Sequence, residues 1–105
     1  MERLEFEFSG GRPVAARNAP VLAGVLGSGN LEVLIEPADL GGAVRVQIET
    51  AARGFGDIWQ AVLADVFERW ALGDLRVTIN DAGATPAVVA LRLDQALQDY
   101  AGGGA

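Results

Sequence analysis

Three segments of this chain alternate apolar and polar residues with a period of two. Leu4, Phe6 and Phe8 alternate with Arg3, Glu5 and Glu7; Val44, Val46 and Ile48 with Arg45, Gln47 and Glu49; Leu75, Val77 and Ile79 with Arg76, Thr78 and Asn80. A fourth, Leu31 to Glu36, sets Leu31, Val33 and Ile35 against Glu32 and Glu36, with Leu34 out of step. Successive side chains of a strand point to opposite faces, so each segment presents one apolar and one polar face. Such a chain must cover one side of a sheet and leave the other to water. Val21 to Leu26 is short and apolar and reads as a buried strand. The turn-forming Pro37-Ala38-Asp39-Leu40-Gly41-Gly42 predicts a hairpin between the segments on either side, with Arg45 across from acidic neighbours.

The cover comes from helices. Trp59, Val62, Leu63, Val66, Phe67 and Trp70 recur at three and four residues, an apolar stripe that reads as core against the sheet rather than as a ligand pocket. Asp57 followed by Gln60 resembles a capping box, and Gly73 suits a C-terminal stop. Thr85-Pro86 supplies N-cap and N1 residues for a second helix. Val89, Leu93, Ala96, Leu97 and Tyr100 share one face of it. Residues 87–93 also fit a strand pattern, but the cap and the helix formers favour the helix. The expected fold is α+β: a small antiparallel sheet with two helices packed on one face. One domain spans 1–101, with 102–105 a flexible tail.

Composition narrows the function. The net charge of −6 argues against nucleic acid and against anionic membrane surfaces. No apolar run approaches the roughly 20 residues of a membrane span. Met1 to Phe6 lacks the basic start and apolar core of a signal peptide, which makes the cytoplasm the expected location. The chain has no Cys and no His, and all eight basic residues are Arg. A thiolate nucleophile, a sulfur metal site, the usual neutral-pH base and a Schiff base are thereby excluded. The carboxylate pairs Glu5/Glu7 and Glu32/Glu36 sit in the alternating segments and read as a solvated sheet face. We expect no catalytic and no metal-binding residues. The irregular stretch to Pro20 has Arg12 and Arg17 as its only charges; it is a surface loop or a partner contact.

Gly27-Ser28-Gly29-Asn30 separates two apolar runs and reads as a hairpin tip. It offers one hydroxyl, Ser28, between two residues without side chains, so another molecule can approach the backbone closely. Ser and Gly also serve turns for purely local reasons. A phosphate-cradling loop would need a helix start after it, and a strand pattern follows instead.

The run from Gly27 to Pro37 (Gly-Ser-Gly-Asn-Leu-Glu-Val-Leu-Ile-Glu-Pro) resembles the acyl carrier (delta) subunit of malonate decarboxylase, a relative of the citrate lyase acyl carrier subunit. A second match lies in Ile79-Asn80-Asp81-Ala82-Gly83-Ala84-Thr85-Pro86 and Val88 to Leu93. The resemblance covers residues 3 to 100; Asn30 departs from it, standing where Asp is the commoner residue. It implies a carrier, with Ser28 joined through a phosphodiester to 2'-(5''-triphosphoribosyl)-3'-dephospho-coenzyme A and with Gly27 and Gly29 flanking the attachment turn. It implies acetyl and malonyl thioesters on that group, and acyl-transferase, decarboxylase and attaching-enzyme partners. It implies a fold other than the four-helix acyl carrier fold, whose Asp-Ser-Leu tripeptide is absent. A citrate lyase-type carrier and an unmodified acidic protein-interaction module are the alternatives.

Overall fold

The computed structural model describes residues 1–13, 19–25, 27 and 29–102, with Pro13 described in its backbone only. In chain order the elements are β1 (Glu2–Phe8), β2 (Arg12–Pro13), β3 (Val21–Gly24), β4 (Leu31–Pro37), β5 (Val44–Thr50), α1 (Gly56–Arg69), β6 (Leu72–Gly73), β7 (Leu75–Asp81) and α2 (Pro86–Gly102). Arg17 and residues 103–105 lie outside the described residues.

The expected α+β fold is present, but strand order departs from chain order. The main sheet runs β1-β5-β7-β4-β3. Strand β5 pairs with β7 in parallel, and the other three pairs are antiparallel, so the sheet is mixed. The hairpin expected between β4 and β5 does not form, because β7 lies between them and pairs with both. The β4–β5 connector instead crosses the start of β7, where Asp74 holds it. Asp74 Oδ1 accepts from the Leu40 amide at 3.1 Å and the Gly42 amide at 2.7 Å. The Asp74 amide donates to the Ala43 carbonyl and its carbonyl accepts from Ala38, both at 2.9 Å. Arg45 does meet an acid, but on β1: its Nε lies 3.2 Å from Glu7 Oε1.

The core lies between one sheet face and both helices. Leu31, Val33 and Ile35, Val46 and Ile48, and Val77 and Ile79 are fully buried with Leu63, Val66, Leu93 and Leu97. Leu4, Phe6 and Phe8 pack against this core, with the Phe8 and Phe67 rings 5.5 Å apart between centroids. Burying such side chains contributes on the order of 2 kcal/mol each. The Trp59 stripe is therefore core, as its spacing implied. The opposite face carries Glu5, Gln47, Thr78 and their neighbours, and the out-of-step Leu34 lies there across from Leu22. Strand β3 is an edge strand, not the buried strand its composition suggested; Leu22 is exposed on the uncovered face, and Val25 is exposed just beyond the strand's end.

Three local readings change. Helix α1 starts at Gly56 with no side-chain cap, and Asp57 sits inside its first turn, where a negative charge meets the positive helix end. Gly73 does not stop α1; it pairs with Pro13 in the short β2–β6 ladder. Arg12 belongs to that ladder as well, so part of the expected irregular loop is ordered. The start of α2 is as expected: the Val88 amide donates to Thr85 Oγ1 at 3.3 Å, and residues 87–93 are helical.

Candidate functional site around the Gly27–Asn30 turn

Strands β3 and β4 form an antiparallel hairpin, with Gly24 opposite Glu32. Its tip is closed by the Asn30 amide, which donates to the Gly27 carbonyl at 3.0 Å. Gly29 has φ +71, a conformation that favours glycine. Ser28, the expected attachment residue, lies outside the described residues. Its neighbours are held firmly. The Gly29 amide donates to the Ala82 carbonyl at 2.8 Å, and the Ala82 amide donates to the Asn30 carbonyl at 2.9 Å. The second bond extends the β4–β7 ladder one step beyond the Leu31–Asp81 pair. A Cβ added at Gly27 or Gly29 meets nothing within 4 Å, so there is open space at both glycines.

The loop on which the turn leans is organised by a buried carboxylate. Asp81 Oδ2 accepts from Thr50 Oγ1 at 2.8 Å and from the Gly83 amide at 3.2 Å; Oδ1 accepts from the Ala84 amide at 2.9 Å. With three donors satisfied, this buried acid shapes the loop. The same loop borders a cavity of about 230 Å³, lined in part by Phe55, Ile58, Trp59 and Val89. Phe55 and Ile58 are large apolar side chains left exposed there.

Sequence reading missed Arg92. From α2 this side chain reaches the turn: its Nη2 donates to Asn30 Oδ1 at 3.3 Å and its Nη1 to Gln95 Oε1 at 2.7 Å. Its Nε is buried and has no hydrogen-bond partner among the described residues. Asn30 Oδ1 also accepts from the Leu31 amide at 2.8 Å. Gly24 lies beneath the arginine; its φ of +86 and the Leu31 carbonyl oxygen against it already call for glycine there. A Cβ there would lie 2.9 Å from Arg92 Cδ and 3.0 Å from its Nε. Among the described residues Arg92 makes no ion pair, since both its partners are neutral amides. The available signal was that Arg92 is the sole basic residue of α2. A cation with an orphaned donor, beside a turn with open space at its glycines, is an arrangement that suits an anionic group at Ser28.

Glu5, Glu7 and Glu32 lie on the uncovered sheet face, as their alternation implied, and accept hydrogen bonds from Gln47, Arg45 and Asn80.

The profile of the malonate decarboxylase delta subunit (MdcD) family matches residues 18–100. The chain is 62% identical over 101 residues to a malonate decarboxylase acyl carrier protein of Burkholderia cepacia, covering 96% of this chain and 92% of that one. It is 57% identical over 104 residues to the protein of the same description from Stenotrophomonas maltophilia (strain R551-3), covering 99% and 98%. Among solved structures it matches a chain in a Pseudomonas malonate decarboxylase hetero-tetramer in complex with malonate. That match has a TM-score of 0.85 and 39% identity, covering 95% of this chain and 99% of the other.

Proposed function

We propose that Ser28 is the attachment point for the acyl-bearing arm of this chain, which belongs to the malonate decarboxylase delta subunit (MdcD) family and is the acyl carrier subunit of such a complex. The observation that carries the proposal is the turn itself. Its only hydroxyl stands between two glycines with open space at each, and Gly29 and Asn30 fasten it to the sheet.

The arm is a 2'-(5''-triphosphoribosyl)-3'-dephospho-coenzyme A derivative. A phosphodiester holds one phosphorus, so the triphosphate is the donor form. Ser28 Oγ would hold the group through the phosphodiester, with pyrophosphate as the leaving group of the triphosphate donor. When bound, the group supplies a thiol that carries acetyl and malonyl as thioesters, which support the carbanion-like transition state of decarboxylation.

The chain's own part is to hold and present. Gly27 and Gly29 give the attaching enzyme access to the backbone on both sides of Ser28. The Gly29–Ala82 and Ala82–Asn30 bonds hold the turn from which the arm would start. A tether of fixed origin raises the local concentration of its end at each partner site. The absence of Cys leaves no thiol to compete for the acyl group. The reading makes this a non-catalytic subunit whose partners are an acyl transferase, a decarboxylase pair and the attaching enzyme. A cytoplasmic location accompanies it; among the described residues no helix is long and apolar enough to cross a membrane.

Ser28→Ala tests this. Expressed with the attaching enzyme, the parent gains the mass of the arm and a maleimide-reactive thiol; the variant folds and gains neither. An adduct on the variant would move the attachment point elsewhere. A parent that stays unmodified beside active partner subunits would favour the acidic interaction module.

A further inference from the structure

We infer that Arg92 is the phosphate-binding residue of the attachment site, donating to the phosphodiester formed on Ser28. The inference rests on the Ser28 reading and adds to it a residue that the turn motif does not contain.

The first support is position. Arg92 Nη2 donates to Asn30 Oδ1 at 3.3 Å, so the guanidinium lies against the side chain of a residue two places after Ser28. Two residues of chain span at most about 7 Å, which keeps the guanidinium near the proposed attachment residue. Asn30 is itself tied to the sheet by its carbonyl, so the guanidinium is held beside the turn.

The second support is unspent capacity. A guanidinium has five N–H donors. Among the described residues two are used, each on a neutral amide oxygen, and Nε–H is buried without an acceptor. Leaving a buried donor unpaired costs free energy, and such a group calls for an explanation. Among the described residues no carboxylate pairs with this guanidinium, and its charge is open to an anion.

The third support is charge. The chain carries −6 overall, which repels an anionic arm. Arg92 opposes that repulsion at the place where the arm begins.

The experiment uses the full chain, expressed with the attaching enzyme, and reads intact mass together with the phosphorus-31 resonance of the serine phosphodiester. Arg92→Gln should still gain the arm, with its phosphorus resonance displaced from the parent position and an initial attachment rate lower by about tenfold, the worth of one charge-assisted contact. Arg92→Lys should fall between. Arg76→Gln, on the uncovered sheet face, should match the parent in both. If the parent gains no mass, the Ser28 reading fails and takes this inference with it. If the parent and Arg92→Gln gain mass and their phosphorus resonances coincide, Arg92 does not touch the phosphate, and this inference alone is overturned.

Discussion

The amide of Gly29 donates to the carbonyl of Ala82 at 2.8 Å, across a sequence separation that joins the β3–β4 turn to the entrance of α2. The residue after Ser28 is thereby fixed by the same loop that Asp81 shapes from below through the Gly83 and Ala84 amides. The presentation of Ser28 depends on the second half of the chain as much as on its own turn.

The two flanking glycines are expected to respond differently to alanine. Gly29 has φ +71, where an L-residue costs about 1–2 kcal/mol even though a Cβ meets nothing within 4 Å. Gly29→Ala should lower the melting temperature by several degrees, as expected for a domain of this size, and should slow attachment. Gly27 has no such conformation and open space around it, so Gly27→Ala should stay within about half a kcal/mol of the parent. Thermal unfolding of the pair, with attachment followed by mass, checks both. Equal stability of the two variants would contradict the assignment of strain to Gly29.

Gly73→Ala should be far more damaging. The β1–β2, β4–β5 and α1–β7 connections meet through Gly11, Gly42 and Gly73. A Cβ on Gly73 would lie 2.1 Å from the Gly42 carbonyl oxygen and 2.9 Å from the Gly11 carbonyl carbon. These are backbone atoms, which cannot rotate aside. We expect a loss of about 3 kcal/mol or more, in the range of severe overpacking, seen as a large fall in the urea midpoint. A midpoint within the range of ordinary surface variants would show that the three loops can separate.

The contrast between Ser28 and Gly73 explains what the sequence disclosed. Period-two alternation states which face of a strand is buried, and Leu4, Val46 and Val77 were legible for that reason. It does not state which strand is the neighbour. The placing of β7 between β4 and β5 depends on Asp74 and on the three-glycine junction, contacts between residues thirty or more apart. The Ser28 turn was legible because its chemistry is local. Arg92 was not, because on a helical pattern it looks like any solvated residue, and only the fold brings it to Asn30.

The isolated chain should turn over nothing. It lacks Cys, His and Lys, and Glu5, Glu7 and Glu32 bond to neighbours on the uncovered sheet face. Incubation of the purified protein with malonate, acetyl-CoA and malonyl-CoA should release no carbon dioxide above blank, whether or not the arm is attached. Release by protein free of partner subunits would show that the chain contains a catalytic centre of its own.

Alkaline pH should unfold the domain through Tyr100. This tyrosine, the only one in the chain, is 2% exposed, on the inner face of α2. Burial raises the pKa of its hydroxyl above the ordinary 10.0, and the Asp74 carboxylate raises it further. Both disfavour the charged phenolate in the folded state. The unfolded chain, with an ordinary pKa, therefore loses its proton first as pH rises. The stability contributed by the protonated, buried hydroxyl is fully present below pH 10.0 and falls as pH climbs from there through the higher folded value. Melting temperature should decline over that window, and tyrosinate absorbance should appear together with unfolding rather than before it. Tyr100→Phe removes the titrating group and should flatten the decline, whatever its effect on stability at neutral pH. Tyrosinate forming at its ordinary pH in a domain that stays folded would show that the hydroxyl is reached by water without opening the core.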